Sequence, residues 1–271
     1  MLNNIVATAT LLSGCKVVDR TLVFYAMINR VYVTKDKKRV SNPAMCVIQY
    51  RGNDVDDLNG LLAKGNRVAF KGVFTGDYYI RDAEKPNKKT VNGATIQEKT
   101  DGTSFACFEI FASELQVVDE RERSWKEVAD IVCITFFGRI GRDGETKYSD
   151  NGVAFVNTSI PSNYSRPADQ EGEWDDWTVW FNLTTFPTEK QIRAIERDWK
   201  KGNMLVVQGT LSVENGGSTP GIWTTRDGDK RASYKLVVDD WKSFERRGAP
   251  TGDVDAEVAS VQDLKEEDIP F

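Results

Sequence analysis

Residues 62–72 read LAKGNRVAFKG, and residues 199–209 read WKKGNMLVVQG. Lys64-Gly65-Asn66 and Gly72 recur as Lys201-Gly202-Asn203 and Gly209, and each residue lies 137 positions from its counterpart. In each copy a helix-like stretch ends in Lys-Gly, where glycine suits a left-handed helix cap because it has no Cβ to clash. The second glycine closes a short strand, where it permits a sharp bend or a close backbone approach. Two such segments in register indicate a duplicated domain.

The segments around the repeat have the composition of β-strands. In the first half, runs rich in β-branched and aromatic residues cover 4–12, 21–33, 44–50, 67–74 and 105–118. A helical pattern lies at 54–64, and we expect 82–103 to be a long loop. In the second half the predicted strands are 131–139, 152–160, 176–184, 204–211 and 233–241, with a helical pattern at 188–200. Five strands with one helix between the third and fourth is the order of an OB-fold, so we predict an all-β chain of two tandem OB-fold barrels.

The predicted domains are 1–119, a charged connector at 120–128, 129–247, and an acidic tail at 248–271. The tail contains seven acids and one base, so the totals of 41 acids and 36 bases fall to 34 and 35 without it. The net charge of −5 therefore belongs to the tail, which we expect to be disordered over 248–265 because it has few apolar residues. Such charge asymmetry suggests a nucleic-acid binder with an acidic interaction tail.

The composition argues against several classes of protein. The 271 residues include no His, and the four Cys form no CxxC pair, which argues against a zinc site and excludes catalysis by histidine. We expect no metal or other cofactor, and reduced thiols rather than disulfides. There is no apolar run of the roughly 20 residues that a bilayer span needs, and the N-terminus lacks the pattern of a secretory signal. These features favour a cytoplasmic protein.

Three separated motifs in the second half resemble one family. The sequence FFGRIGRDGETKYSDNG at 136–152, the hairpin WTTRDGDKRASYKLVV at 223–238 and the ending EEDIPF at 266–271 are similar to segments of the bacterial single-stranded DNA-binding proteins (SSBs). The resemblance covers about 131–271, and the first half is connected to it only through the internal repeat. Two barrels in one chain resemble the tandem form of the Deinococcus–Thermus group. One departure follows the third strand, where Leu183-Thr184-Thr185 replaces the family's aromatic-Gly-Lys.

The resemblance implies that the chain is not an enzyme. It implies sequence-independent binding and protection of single-stranded DNA in replication, recombination and repair, as a nucleoid-associated homodimer. Replication and repair proteins would be recruited through the tip Asp268, Ile269, Pro270 and Phe271; a tail that only aids solubility is the alternative. A phage or plasmid replication accessory, with one barrel mainly for assembly, is a second interpretation of the chain. A third is a metal-dependent nuclease using Glu171, Glu173, Asp175 and Asp176, although adjacent acids in a Gly-containing segment favour a solvated loop.

A protein that holds single strands of any sequence needs flat aromatic faces for the bases and cations for the phosphates. The candidate stacking residues are Trp177, Trp223, Tyr164 and Tyr79. The candidate phosphate contacts are Arg139, Arg142, Lys147, Arg226, Lys230, Arg231, Lys38 and Arg39, although Lys38 and Arg39 also fit a solvated hairpin loop. A tryptophan on a strand can instead belong to the core. Alternation puts Trp177 on one face of 176–184 with Val179, Phe181 and Leu183, and it puts Trp180 on the other face with Thr178 and Asn182. We therefore expect one of the two tryptophans in the core and one exposed, and the resemblance favours Trp177 as the stacking residue.

Overall fold

The computed structural model describes residues 2–18, 20–33, 36–75, 90–91, 94–98, 104–167, 174–213, 217–224 and 230–244. It gives the backbone alone for residues 2, 90–91, 94–98, 104–105, 164–167, 174–177, 223–224 and 230–233.

Barrel one is a closed sheet that contains the first copy of the repeat. Its strands are β1 (Leu2–Leu11), β2 (Lys16–Val18), β3 (Thr21–Val33), β4 (Arg39–Tyr50), β5 (Arg67–Phe74), β6 (Thr90–Val91), β7 (Ala94–Glu98) and β8 (Ser104–Asp119), and helix α1 (Val55–Leu61) lies between β4 and β5. The barrel closes because β1 pairs with both β3 and β5, β5 pairs with β8, and β8 runs parallel to β4. This is the predicted order of five main strands with a helix between the third and fourth.

Barrel two repeats this architecture. Its strands are β9 (Val132–Arg139), β10 (Arg142–Tyr148), β11 (Ala154–Pro167), β12 (Trp174–Thr185), β13 (Met204–Ser212), β14 (Gly221–Thr224) and β15 (Lys230–Phe244), with helix α2 (Glu189–Asp198) between β12 and β13. Thr188 and Gln191 form a capping box at the start of α2, which satisfies backbone N–H groups that would otherwise lack partners. Ile195 and Trp199 are fully buried and anchor the helix to the barrel. The prediction of two tandem OB-fold barrels is confirmed.

The repeated glycines do in both barrels what the sequence predicted. Gly65 and Gly202 have φ angles of +85° and +90°, the left-handed conformation that glycine adopts without strain. Gly72 and Gly209 each lie at a register shift, between β5 and β8 and between β13 and β15. A Cβ on Gly72 would lie 2.4 Å from the Phe111 carbonyl oxygen, and one on Gly209 would lie 2.2 Å from that of Val237. Both strands therefore require glycine where they bend against their neighbour.

The two barrels share one sheet. β1 and β9 pair antiparallel over six residue pairs from Leu2↔Phe137 to Ala7↔Val132, and Ile5 lies opposite Ile134. Ile5 also pairs with Gly72, and Ile134 pairs with Gly209, so these two isoleucines are equivalent in the repeat. The pairing is therefore centred on a pseudo-two-fold axis that relates the barrels.

An aromatic cluster joins the two cores across the shared sheet. Phe74 of barrel one stacks on Phe136 of barrel two at a centroid distance of 5.9 Å, and Phe181 lies 4.2 Å from Phe136. Phe108 lies 4.9 Å from Tyr234, whose hydroxyl accepts a hydrogen bond of 3.0 Å from the backbone N–H of Glu109. Burial, together with the nearby Glu109 carboxylate, raises the pKa of Tyr234 well above its usual value.

The connector is fastened to barrel one through a buried carboxylate. Asp130 has a fully buried side chain and accepts hydrogen bonds from Thr8 Oγ1 at 2.8 Å, the Asn29 backbone N–H at 2.7 Å and Arg67 Nη2 at 2.8 Å. The Asn29 side-chain amide donates to the carbonyls of Trp125 and Val128. The segment before β9 is thus held to β1, β3 and β5.

The prediction of a loop over 82–103 is wrong at 90–91 and 94–98. We expected a loop over 82–103, but β6 and β7 form a short hairpin there, and β7 pairs with β8 from Ala94↔Phe108 to Glu98↔Ser104. The short strands were missed because the polar, glycine-containing sequence has little of the apolar alternation that marks a strand. The predicted domain limits at 119 and 129 fall near the end of β8 at Asp119 and the start of β9 at Val132. The tail 248–271, which we expected to be disordered in part, lies outside the described residues.

Candidate nucleic-acid interface

Two hairpins of barrel two leave the barrel at the same end. β12 and β15 run parallel, and their pairing extends only from Phe181↔Tyr234 to Thr184↔Val237. Residues 174–180 and 230–233, which precede this contact, therefore extend beyond it in the same direction. The hairpins β11–β12 and β14–β15, separated in the sequence, are brought to one edge by this parallel pairing.

The β11–β12 hairpin places two of the candidate stacking residues opposite each other. β11 and β12 pair without a register shift from Val156↔Thr185 to Pro167↔Trp174, and Tyr164 pairs with Trp177 in the projecting part. Residues directly opposite each other on neighbouring antiparallel strands have Cβ atoms about 4.5–5.5 Å apart. The backbone thus brings this predicted pair together.

The β14–β15 hairpin places a candidate stacking residue beside candidate cations. Trp223 pairs with Arg231, and Thr224 pairs with Lys230. An aromatic residue and a base at one register position are what a groove for bases and phosphates requires. The backbone pairing therefore puts Trp223 next to Lys230 and Arg231, as the sequence predicted for this hairpin.

The expected alternation along β12 is present, and it reveals a residue that the sequence reasoning left out of the site. Val179, Phe181 and Leu183 are fully buried, whereas Trp180 is 44% exposed. The Trp180 ring covers Gly141, since a Cβ on that glycine would lie 2.5 Å from the ring. Trp180 is therefore an exposed aromatic surface beside the turn that joins β9 to β10. The signal was the alternation itself, which set Trp180 on the face opposite the apolar residues.

The candidate cations of barrel two differ in what they already contact. Arg139 Nη1 donates to the Gly202 carbonyl at 3.2 Å, and Lys147 Nζ lies 3.1 Å from Glu145 Oε2. Arg142 is exposed at the start of β10, where it pairs with Ser159 next to the Gly141 turn. Arg142 thus directly follows the glycine that the Trp180 ring covers.

The remaining predicted site residues are not part of this group. Lys38 and Arg39 are exposed at the β3–β4 turn of barrel one. Tyr79, Arg226 and the tip Asp268, Ile269, Pro270 and Phe271 lie outside the described residues. Among the residues that the structure describes, no group of His, Cys, Asp or Glu could hold a metal ion.

Comparison with known proteins identifies the second half. Residues 131–244 match the model of the single-strand binding protein family. The chain is 31% identical over 143 residues to a single-stranded DNA-binding protein of Borreliella burgdorferi, an alignment that covers 52% of this chain and 89% of that protein. The chain belongs to the single-strand binding protein family. Members of this family are DNA-binding proteins without enzymatic activity, and the protein is accordingly a single-stranded DNA-binding protein and not an enzyme.

The likeness to a solved family structure extends over both barrels. The wild-type single-stranded DNA binding protein of Thermus aquaticus superposes with a TM-score of 0.56 at 14% identity, covering 93% of this chain and 97% of that one. At this identity the match shows the fold, and it confirms the predicted tandem arrangement. A relative from Tropheryma whipplei is 32% identical over 107 residues, covering 40% of this chain and 53% of its own length. None of the described helices is long and apolar enough to cross a membrane.

Proposed function

We propose that this family member coats single-stranded DNA without regard to base sequence, and so protects it in the cytoplasm during replication, recombination and repair. The observation that carries the proposal is the common edge of the two projecting hairpins of barrel two. One hairpin carries the pair Tyr164 and Trp177, and the other carries Trp223 with Lys230 and Arg231. Bases of any sequence can stack on such aromatic faces, each for about 1–3 kcal/mol.

Binding to labelled oligonucleotides tests this function. Fluorescence anisotropy should show tight binding of oligo-dT and poor binding of a duplex of the same length. The affinity for single strands should depend less on base composition than on salt concentration. Each phosphate that the protein neutralises contributes about 0.7 to the slope of log K against log salt on single strands. Replacing exposed Arg142 by Ala should lower that slope by about this amount. Equal affinity for the duplex would contradict the proposal.

The proposal includes recruitment of replication and repair proteins by residues 266–271. Three acids stand beside Ile269, Pro270 and Phe271 in a segment that is otherwise polar. An apolar pocket with Lys or Arg at its rim could accept the aromatic ring and the acids together. Deleting 266–271 should abolish capture of a helicase or exonuclease partner and leave DNA affinity equal or slightly higher. If the shortened protein captures the same partners, recruitment depends on the barrels.

A homodimer is the third part of the proposal. The outward face of the shared sheet carries Val6, which is 43% exposed, and its cross-strand partner Cys133, also exposed. A second copy packing on this face would cover these apolar groups near the pseudo-two-fold axis and give four barrels. Sedimentation at micromolar concentration should then give the mass of two chains, and Val6→Lys should give one. A single-chain mass for the unaltered protein would remove this part of the proposal.

A further inference from the structure

The register of each barrel shows which hairpin residues are equivalent. The parallel contact begins with Cys46↔Phe108 in barrel one and with Phe181↔Tyr234 in barrel two. Cys46 and Phe181 therefore occupy the same position in their barrels, at the point where each hairpin begins to project.

Counting back from these positions gives the counterparts of two predicted stacking residues. Trp177 lies four residues before Phe181, and Asn42 lies four residues before Cys46. Across each hairpin, Trp177 pairs with Tyr164, and Asn42 pairs with Arg30. Barrel one thus has an amide and a guanidinium where barrel two has two aromatic rings.

The polar groups of Arg30 and Asn42 are occupied by barrel two. Arg30 Nη1 donates to Thr210 Oγ1 at 2.5 Å, and its Nη2 lies 3.7 Å from Asp239 Oδ2. Asn42 Nδ2 donates to the Leu211 carbonyl at 3.2 Å. Three residues further along β4, the Met45 backbone N–H donates to the Ser218 carbonyl at 2.6 Å. The β3–β4 hairpin is therefore bonded to the other barrel through residues 30, 42 and 45.

The two barrels differ in how far a hairpin of the other barrel covers β13 and its counterpart β5. Thr210, beneath the β3–β4 hairpin, is 5% exposed, whereas Val73, its counterpart 137 residues earlier, is 38% exposed. The pseudo-two-fold symmetry is therefore broken here, because the β3–β4 hairpin covers Thr210 on β13 whereas Val73 on β5 is left more exposed.

We propose that the two equivalent hairpins have different tasks. The β11–β12 hairpin of barrel two stacks bases through Tyr164 and Trp177, and the β3–β4 hairpin fastens barrel one to barrel two through Arg30 and Asn42. This division rests on the proposed function, since it locates base stacking within the same DNA-binding protein. The exposed Lys37 and Arg39 at the turn of the β3–β4 hairpin carry charges that phosphates can contact without an aromatic face.

Variants at equivalent positions test the division in the full-length chain. Affinity for fluorescein-labelled oligo-dT is measured by anisotropy at one fixed salt concentration. Trp177→Ala should weaken binding by about 5- to 150-fold, which is the stacking free energy of one base converted to affinity. Asn42→Ala should leave affinity within about twofold. Trp177→Phe retains an aromatic face and should recover most of the lost affinity, which separates stacking from a general loss of structure.

A second measurement tests the fastening without DNA. In hydrogen exchange, peptides covering 30–45 should exchange faster in Asn42→Ala than in the unaltered chain, and the thermal midpoint should fall. Trp177→Ala should leave the exchange of these peptides unchanged. Unaltered exchange in Asn42→Ala would overturn the fastening role.

The affinities distinguish failure of the division from failure of the function. If Asn42→Ala weakens oligo-dT binding as much as Trp177→Ala, or if folded Trp177→Ala binds normally, the division is wrong although the protein still binds DNA. If the unaltered protein does not bind oligo-dT, the proposed function itself fails.

Discussion

Single side chains on β12 show how far a residue's role follows from its position in the sequence. The alternation along this strand correctly predicted that Val179, Phe181 and Leu183 share a face, and all three are buried. It could not assign a function to exposed Trp180, because the neighbour of that ring is Gly141, some 40 positions away in the sequence. Contacts between distant segments depend on the register of the sheet, which local pattern does not fix.

The first prediction at this scale concerns Trp223, which pairs with Arg231 in the β14–β15 hairpin. If Trp223 stacks a base, Trp223→Ala should weaken oligo-dT binding by about 1–3 kcal/mol and leave the melting temperature nearly unchanged. Ile222→Ala, one residue earlier, is the matched control, since Ile222 packs against the core and its loss should lower stability with little effect on affinity. The opposite pattern, with several degrees lost in Trp223→Ala and normal affinity, would place Trp223 in the core.

The second residue-scale prediction concerns Tyr50. Its hydroxyl donates to Asp54 Oδ1 at 2.7 Å, and this hydrogen bond, followed by burial, raises the pKa of Tyr50 from 10 to about 12. The folded state therefore holds the proton more tightly than the unfolded state, so the contribution to stability is complete below pH 10 and is lost as the pH rises towards 12. The denaturant midpoint of the unaltered protein should fall further between pH 9.5 and 11.5 than that of Tyr50→Phe. Parallel curves for the two proteins would contradict this assignment.

At the scale of elements, the repeated glycines allow a matched comparison within one copy of the repeat. A Cβ on Gly202 would meet nothing within 4 Å, so Gly202→Ala adds only the strain of a left-handed φ, about 1–2 kcal/mol. A Cβ on Gly209 would lie 2.2 Å from the Val237 carbonyl oxygen, so Gly209→Ala must also move β13 away from β15. We expect that variant to lose more, on the order of 3 kcal/mol, in chemical denaturation. Equal losses would mean that the sheet can shift at this point without cost.

The order of the elements was accessible from the sequence, and the pairing between barrels was not. Strands and helices are local patterns of apolar spacing, so β3, β5 and α2 could be predicted within a few residues. The contact of β1 with β9 joins residues more than a hundred positions apart, and nothing in Ile5 or Ile134 taken singly indicates it. The short hairpin of β6 and β7 was missed for a different reason, since its polar sequence resembles that of a loop.

At the scale of the whole molecule, a connector bonded to barrel one and a shared sheet make the two barrels one unit. The buried Asp130 carboxylate accepts hydrogen bonds from Thr8, Asn29 and Arg67, which belong to three strands of barrel one, and so ties the connector to that barrel. The aromatic cluster adds pairs worth about 0.5–1.5 kcal/mol each beyond their burial. We therefore expect one cooperative unfolding transition rather than two.

The corresponding prediction concerns Asp130→Ala, which leaves Arg67 without its buried partner. Removing one member of a buried ion pair costs about 3–5 kcal/mol, and because the Arg67 side chain is 19% exposed we expect a loss near the lower end of that range. Glu145→Ala is the control, since Glu145 forms an exposed pair with Lys147 that is worth about 0–1 kcal/mol. Urea denaturation of both variants measures the difference. A loss of less than about 1 kcal/mol for Asp130→Ala would show that water reaches the site and replaces the carboxylate.

The pairing of β1 with β9 has a consequence for synthesis on the ribosome. β8 completes barrel one at Asp119, but β9 ends only at Arg139. One edge of β1 therefore has no pairing partner until the residues between them have been translated. At roughly 5–20 residues per second this interval lasts about 1–4 s. An open strand edge is a template for other chains, and the register centred on Ile5 would let two nascent copies of β1 pair with each other on one polysome. Slow codons between 119 and 139 should therefore lower the soluble yield, whereas the same codons after residue 244 should not.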